Sequence, residues 1–205
     1  FQESLELFEK FLSENTFDEN VVSINYYYMG IAAFRLNLYE KASRYLEQTA
    51  FDVGDQSKLY YSALLLKGML FYHRNMIEES LELLKIVIDA KKGDDTYLHA
   101  LVNFGSYSLK SNIVAHKDQS SKIFYSIIND EDLSNQKLKP ELVKQIKAVC
   151  YYNLGLVYRI NNDHQSAKSM FQNSVQLSEF TKPIMVLALL RETESHKEKI
   201  ELLTQ

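Results

Sequence analysis

Five histidines are the residues of this sequence best suited to hold a metal ion: His73, His99, His116, His164 and His196. No two of them lie three or four residues apart, which is the spacing that brings two imidazoles to one face of a helix. No phosphate-binding glycine loop, nucleophile elbow or zinc-protease motif occurs either. We therefore expect no metal site, no cofactor and no enzymatic activity.

The single cysteine and the paired acids favour structural roles. Cys150 immediately precedes an aromatic residue of a helical pattern, which favours a buried, unreactive thiol over a nucleophile. A lone cysteine also excludes an internal disulfide. Glu78 and Glu79, like Asp94 and Asp95, lie at predicted helix starts, where carboxylates interact favourably with the helix dipole.

A local group of lysines is the main basic feature: Lys137, Lys139, Lys144 and Lys147. It could form a phosphate-binding stripe or an ordinary solvated helix face. No aromatic residues alternate with these lysines, and the chain carries a net charge of −4. Both facts favour the solvated face, so we expect no direct binding of nucleic acid.

The composition is that of a folded helical protein. Of 205 residues, 46% are apolar and 24% charged, while glycine and proline number only 6 and 2, too few turn formers for a many-stranded β-fold. No apolar run approaches the length that crosses a membrane. The sequence begins at Phe1 without a signal segment or initiator methionine, so we expect a fragment of a longer chain and favour a cytoplasmic location.

Internal repeats predict the fold. Four glycines lie inside apolar helical patterns: Gly30, Gly68, Gly105 and Gly155. A helical glycine costs about 1 kcal/mol relative to alanine, so a second helix crossing closely is the natural reason for each. Twelve residues after three of them comes a small residue, and four residues later a large one: Ala42 and Leu46, Ser80 and Leu84, Ala167 and Phe171.

The last unit has a specific signature. It runs Tyr151-x2-Leu154-Gly155-x2-Tyr158, followed by Ala167-x3-Phe171, and it resembles a tetratricopeptide repeat. The unit at 26–50 matches less fully, and 64–88 keeps only part of the pattern. In 101–128 about four extra residues are needed to place Ser121 and Tyr125 at the small and large positions.

The predicted architecture is an all-α, right-handed α-solenoid over residues 1–205. Helix pairs are expected in 16–52, 55–92, 94–130 and 140–180, with capping helices in 183–205. Ser4, Phe8 and Phe11 stand 38 residues before Ala42, Leu46 and Thr49. Residues 1–15 are therefore predicted to be an orphan second helix whose first helix lies upstream.

Capping residues predict several helix ends. The glycine spacings exceed the 34 residues of a standard repeat, so we expect lengthened first helices. Asp55 or Ser57 would cap a helix running to about Arg74, Asp94 or Asp95 one running to about Asn112, and Pro140 would begin one running to about Ile160. Gly54 and Gly93 are predicted C-caps.

The resemblance also implies a binding surface. In tetratricopeptide proteins, ligand-facing positions lie at fixed offsets from the repeat glycine and line a concave wall. Carried over, they give the candidate binding residues Tyr27, Phe34, Arg35, Leu65, Met69, Tyr72, His73, Tyr152 and Arg159. The same offsets add Ile24, Ile31, Ser62, His99, Val102, Ser106, Leu109, Lys110, Val149, Leu156 and Ile160. Alternatively, these side chains pack against one another or against a capping element.

Two classes of function follow. The first is a non-catalytic scaffold or adaptor that binds a peptide or helix of a protein partner on the concave wall. The second rests on a more general resemblance to bacterial peptide-pheromone receptors, which implies a ligand-binding domain whose DNA-binding domain lies outside this chain. Such receptors contact peptide backbone with Asn and Arg, and only Arg35 and Arg159 stand at suitable positions.

Overall fold

The computed structural model of the chain describes residues 1–14, 18–90, 95–130 and 138–178, together with Met185. Within these ranges all regular structure is helical, which confirms the predicted all-α class, and none of the helices has the length and apolarity to span a membrane. In chain order the helices are α1 (Gln2–Glu14), α2 (Glu19–Arg35), α3 (Tyr39–Val53), α4 (Lys58–His73), α5 (Ile77–Ala90), α6 (Asp95–Ser108), α7 (Val114–Asn129), α8 (Pro140–Ile160) and α9 (His164–Leu177).

The chain divides into two compact units, and the first spans residues 1–92. In it α2 pairs with α3 and α4 pairs with α5, while α1 packs on α2. The core is formed by Leu5, Met29, Ala32, Ala33, Ala42 and Leu70. The hydroxyl of Tyr45 on α3 donates a 2.6 Å hydrogen bond to the Glu9 carboxylate, and this bond lowers the pKa of Glu9.

The second unit spans residues 93–205. Here α6 pairs with α7 and α8 pairs with α9, and α8 also contacts α6 and α7. The core comprises Leu98, Val102, Phe124, Ile127, Val143, Ile146, Cys150 and Leu154. Between the two first helices of this unit, the Asn153 amide donates to the Ser106 hydroxyl over 2.8 Å.

The turns inside three helix pairs share one backbone geometry. Each has a left-handed asparagine, seven residues after the repeat glycine: Asn37, Asn75 and Asn162, with φ of 59°, 62° and 61°. In the first turn the Leu38 N–H donates to the Ala33 carbonyl oxygen and the Asn37 N–H to the Phe34 carbonyl oxygen. The same two bonds recur in the other two turns. They are those of a Schellman motif, in which asparagine is the usual substitute for glycine.

Each helical glycine is closely packed against the second helix of its pair, as predicted. A Cβ added at Gly30 would lie 2.8 Å from the Leu46 side chain, and one at Gly68 would lie 3.2 Å from Leu84. At Gly155 the nearest side chain is Phe171, the large residue of the pattern, and not the small residue Ala167. The large side chain therefore occupies the space that a Cβ would need.

The third pair corrects the predicted register by one residue. Gly105 packs against Phe124, whose ring would lie 2.8 Å from an added Cβ, and the Ser120 hydroxyl donates to the Gly105 carbonyl oxygen over 2.9 Å. The small and large residues are thus Ser120 and Phe124; the assignment to Ser121 and Tyr125 was wrong. Tyr125 is exposed on the surface, where its hydroxyl oxygen lies 2.5 Å from that of Tyr158.

Several predicted helix ends are confirmed. The Ser57 hydroxyl accepts from the Leu59 N–H as the N-cap of α4, Pro140 begins α8, and Gly54 follows α3 with φ 66°. First helices are not uniformly lengthened: α8 has 21 residues, but α6 has only 14 and ends at Ser108, before the predicted Asn112. Gly93, Asp94 and the predicted capping helices of 183–205 lie outside the described residues, apart from Met185.

We expect Gly155→Ala to destabilise the protein by about 1–3 kcal/mol, because the new methyl group overpacks against Phe171 and this cost exceeds alanine's better helix propensity. Gly68→Ala is the matched control, since Leu84 is farther away and flexible. Urea unfolding of both variants measures the difference. Equal stability of the two variants would contradict the close approach at Gly155.

Candidate functional site

The cysteine and one of the histidines have structural contacts. Among the side chains that the structure describes, no three of His, Cys, Asp or Glu are grouped as a metal site would require. Cys150 is fully buried in the core of the second unit, and this burial raises the pKa of its thiol to about 12. The Nδ1 of His116, in the first turn of α7, lies 3.0 Å from the hydroxyl oxygen of Ser111, which is in the turn between α6 and α7.

Of the described lysines in the basic group, two lie on the surface and one contacts a helix end. Lys139 and Lys144 are exposed, as the solvated-face interpretation predicts, whereas Lys137 lies outside the described residues. Lys147 is half-buried, and its Nζ donates to the Ile128 carbonyl oxygen over 2.9 Å, near the C-terminal end of α7. Because the last carbonyl groups of a helix lack partners within it, this lysine stabilises the end of α7.

Seven of the predicted binding residues lie in the first unit, on α2 and α4. We call them the first-helix face: Tyr27, Phe34, Arg35, Leu65, Met69, Tyr72 and His73. Arg35 and His73 are exposed and the other five are half-buried. The Phe34 and His73 rings meet edge-on at 5.3 Å between centroids, and Tyr72 contacts His73 at 6.0 Å. The structure thus brings three of the seven together at the C-terminal ends of α2 and α4.

The other two predicted residues lie on α8 in the second unit. The Tyr152 ring is 5.7 Å from the Phe171 ring, centroid to centroid, and the Arg159 guanidinium carbon lies 5.9 Å from the centre of the same ring. Both side chains are half-buried and rest on the close contact between α8 and α9. A groove shared by these two residues and the first-helix face stays a prediction.

Each unit also has a groove, and the offsets from the repeat glycine predicted only some of the residues that line it. A groove of 660 Å³ in the second unit is lined by Leu109, Asp118, Ser121, Lys122, Val157, Ile160 and Asn161. One of 380 Å³ in the first unit is lined by Asn20, Ile24, Val53, Ser57, Lys58, Leu59 and Ser62. The offsets gave Leu109, Ile160, Ile24 and Ser62 but missed the polar residues of α7. The sequence signal that could have identified them is the i, i+3, i+4 spacing of Asp118, Ser121 and Lys122, which places them on one face of a helix.

Comparisons with known proteins support the fold alone. No model of a known protein family and no curated protein matches the sequence. Among solved structures, the crystal structure of BtubC (BKLC) from P. vanneervenii has a TM-score of 0.70 at 11% identity, covering 99% of this chain and 84% of BtubC. The MamA RS-1 ArsTM double mutant has a TM-score of 0.58 at 16% identity, covering 93% of each chain. Both are helical-repeat proteins of tetratricopeptide type, so this chain has a helical-repeat solenoid fold of that type.

We expect Cys150 to be unreactive in the folded protein. Because its thiol is buried and its pKa is raised, a disulfide reagent at pH 8 should modify it more than about 100-fold more slowly in buffer than in denaturant. Absorbance of the released thiolate measures both rates. Rapid modification of the native chain would contradict the burial of the Cys150 thiol.

We expect Tyr152→Ala to lower the free energy of unfolding by about 1–2 kcal/mol, because it removes an aromatic contact with Phe171 from a half-buried site. Tyr152→Phe keeps the ring and should leave the stability nearly unchanged. Thermal unfolding followed by circular dichroism compares the two variants. Similar losses in both would indicate that the hydroxyl, and not the ring contact, stabilises the pair.

Proposed function

We propose that this chain is a non-catalytic scaffold or adaptor module that binds a peptide or helix of a protein partner on the first-helix face. The observation that carries the proposal is the distribution of apolar residues on α2 and α4. They are spread around both helices, whereas those of α3 and α5 are concentrated on one side. A helix that is apolar all round is ordinarily buried all round.

The burial of α2 and α4 is incomplete. One side of each contacts its second helix at the repeat glycine, a further side of α2 packs on α1 and a further side of α4 packs on α3, and the two helices meet at Phe34 and His73. Tyr27, Met69 and Tyr72 nevertheless remain partly exposed. Aromatic side chains lose little conformational entropy on binding and are enriched among the residues that dominate protein interfaces. A partner segment with an apolar face would complete the burial of these helices.

The charges suit a partner whose ends or flanks are acidic. No acidic residue occurs in α4, and α2 contains only Glu19, at its first position. Arg35 is exposed at the end of the first-helix face. Stacked helix pairs generally present their first helices along a concave wall that receives an extended partner, which is the geometry that we propose for this face.

The non-catalytic part of the proposal is supported by the chemistry of the described side chains. The one thiol is protonated at neutral pH, His73 contacts the Phe34 ring, and His116 has its Nδ1 3.0 Å from the Ser111 hydroxyl oxygen. A catalytic histidine or cysteine is generally oriented by a neighbouring base or acid. The alternative, a peptide-pheromone receptor domain, is less well supported because one of its two arginines, Arg159, rests on Phe171.

We expect Tyr72→Ala to weaken partner binding about thirtyfold, which corresponds to about 2 kcal/mol for the loss of an interface aromatic residue. The probe is a set of helical peptides selected from a displayed library against the immobilised full chain. Isothermal calorimetry of the selected peptides then measures the Kd for the native chain and for Tyr72→Ala and Met69→Ala.

Phe51→Ala provides the matched control. Phe51 is an aromatic residue on α3, a second helix, and it is 84% exposed. Its truncation should leave the Kd unchanged, and circular dichroism should show native helix content in all three variants. Peptides that bind Tyr72→Ala and Met69→Ala normally but lose affinity for Phe51→Ala would place the binding site on the outer helices and overturn the proposal.

A further inference from the structure

The contact between successive helix pairs can be compared at equivalent repeat positions in the two units. In the first unit α3 packs on α4, and in the second unit α7 packs on α8. Asp118 of α7 is equivalent to Glu40 of α3, because each lies two residues before the small residue of its helix. Asn161 is equivalent to Arg74, since each lies six residues after the repeat glycine and is the C-cap of its first helix.

The first unit has ion pairs at this contact. The Arg74 Nη2 lies 2.8 Å from the Glu40 Oε1, and the Arg74 side chain is 34% exposed. A second pair follows farther along the same two helices, where the Lys67 Nζ lies 2.9 Å from the Glu47 carboxylate. Charged side chains from both helices therefore cover the contact between α3 and α4.

The second unit replaces one of these ion pairs and lacks the other. Tyr125 stands at the position of the second acidic residue, and its hydroxyl contacts that of Tyr158 on α8. At the first position Asn161 takes the place of Arg74, so α8 provides no cation there. Within the described residues, neither the Asp118 carboxylate nor the side-chain amide of Asn161 makes a hydrogen bond or an ion pair.

The position without a cation coincides with the groove of 660 Å³ in the second unit, which Asp118 and Asn161 both line. We call it the α7–α8 groove. Its apolar side chains are Leu109, Val157 and Ile160. Ile160 is 71% exposed, whereas the other three first helices have a basic residue at its position, five residues after the glycine. The groove thus combines an available carboxylate with exposed apolar surface, and its volume is in the usual range of binding sites.

We propose that the α7–α8 groove binds a segment of a protein partner that inserts an arginine between α7 and the end of α8. The guanidinium binds the Asp118 carboxylate, as Arg74 binds Glu40 in the first unit, and an adjacent apolar side chain of the segment contacts Ile160. Lys122 lies one turn after Asp118 on the same face of α7 and binds a carboxylate of the segment. All these residues belong to the second unit, so this site is additional to the first-helix face and does not depend on it.

The two kinds of contact have different effects on binding. An exposed ion pair contributes little affinity, because water and salt screen it. Contact with Ile160 removes apolar surface from water and supplies most of the affinity, and it also shields the ion pair from solvent. The charge then selects the segment, since complementary charges determine mainly specificity. Arginine is favoured over lysine because its planar guanidinium can donate two parallel hydrogen bonds to one carboxylate and is less strongly hydrated.

Peptide selection against a blocked groove tests the proposal. The variant Asn161→Arg supplies an arginine from α8 itself, at the position that Arg74 has in α4. A displayed library of random dodecapeptides is depleted on immobilised Asn161→Arg and on Asp118→Asn, and is then selected on the native full chain. We expect each retained peptide to contain an arginine. Replacing that arginine with citrulline keeps the shape but removes the charge, and it should raise the Kd measured by calorimetry at least about tenfold.

Variants of the chain provide the matched controls. Asp118→Asn should raise the Kd of the retained peptides at least about tenfold. Asp89→Asn neutralises an exposed carboxylate on α5 and should leave the Kd unchanged. Circular dichroism verifies native helix content in all variants, and the citrulline comparison uses only the native chain.

Three results of the selection would overturn the proposal: retained peptides without arginine, citrulline forms that bind equally well, or a library that yields no binder. Sedimentation addresses a different occupant. A native chain that is dimeric and becomes monomeric in Asp118→Asn would also overturn the proposal, because a second copy of the chain would then occupy the α7–α8 groove.

Discussion

The close approach of two helices at a glycine is the contact on which each helix pair depends. A glycine inside a helix costs about 1 kcal/mol relative to alanine, and the described helices contain four. Full burial of a leucine or phenylalanine contributes about 1.5–3 kcal/mol, and such a side chain fills the space beside each glycine. Packing therefore outweighs propensity at every crossing, and two crossings add a buried hydrogen bond from a serine to the glycine carbonyl.

The turn between paired helices varies from pair to pair, whereas the contact at the glycine is kept. Three pairs use a Schellman turn with a left-handed asparagine. The third pair also has an asparagine seven residues after its glycine, Asn112, but its glycine-to-serine spacing is three residues longer, and Ser111 accepts from the Ile113 N–H instead. The contact between Gly105 and Phe124 is nevertheless retained. The helix crossing is thus conserved among the repeats while the connection varies.

This division of roles explains where the partly exposed apolar side chains lie. Each second helix uses its one apolar face for the glycine crossing and presents charged residues on the other side, such as Glu47 and Lys85. The first helices α2 and α4 have apolar residues on more sides than the crossing can cover, and their remaining aromatic residues stay half-buried.

The sequence by itself determined the class of fold, the four helix pairs and most of their ends, because these follow from local patterns: helical periodicity, the glycine-to-large spacing, the Ser57 cap and Pro140. It also identified α2, α4 and α8 as the helices with candidate binding residues.

The sequence could not decide the register of the third pair. Ser120 and Ser121 are both small and Phe124 and Tyr125 are both aromatic, so both registers fit the pattern. Only packing selects Phe124, because one residue along a helix rotates the side chain by about 100° and takes Tyr125 to the surface. The same limit applies to Tyr152, Arg159 and Lys147: their partners, Phe171 and the carbonyl of Ile128, are 12 to 19 residues away in sequence, and only tertiary structure brings them within contact distance.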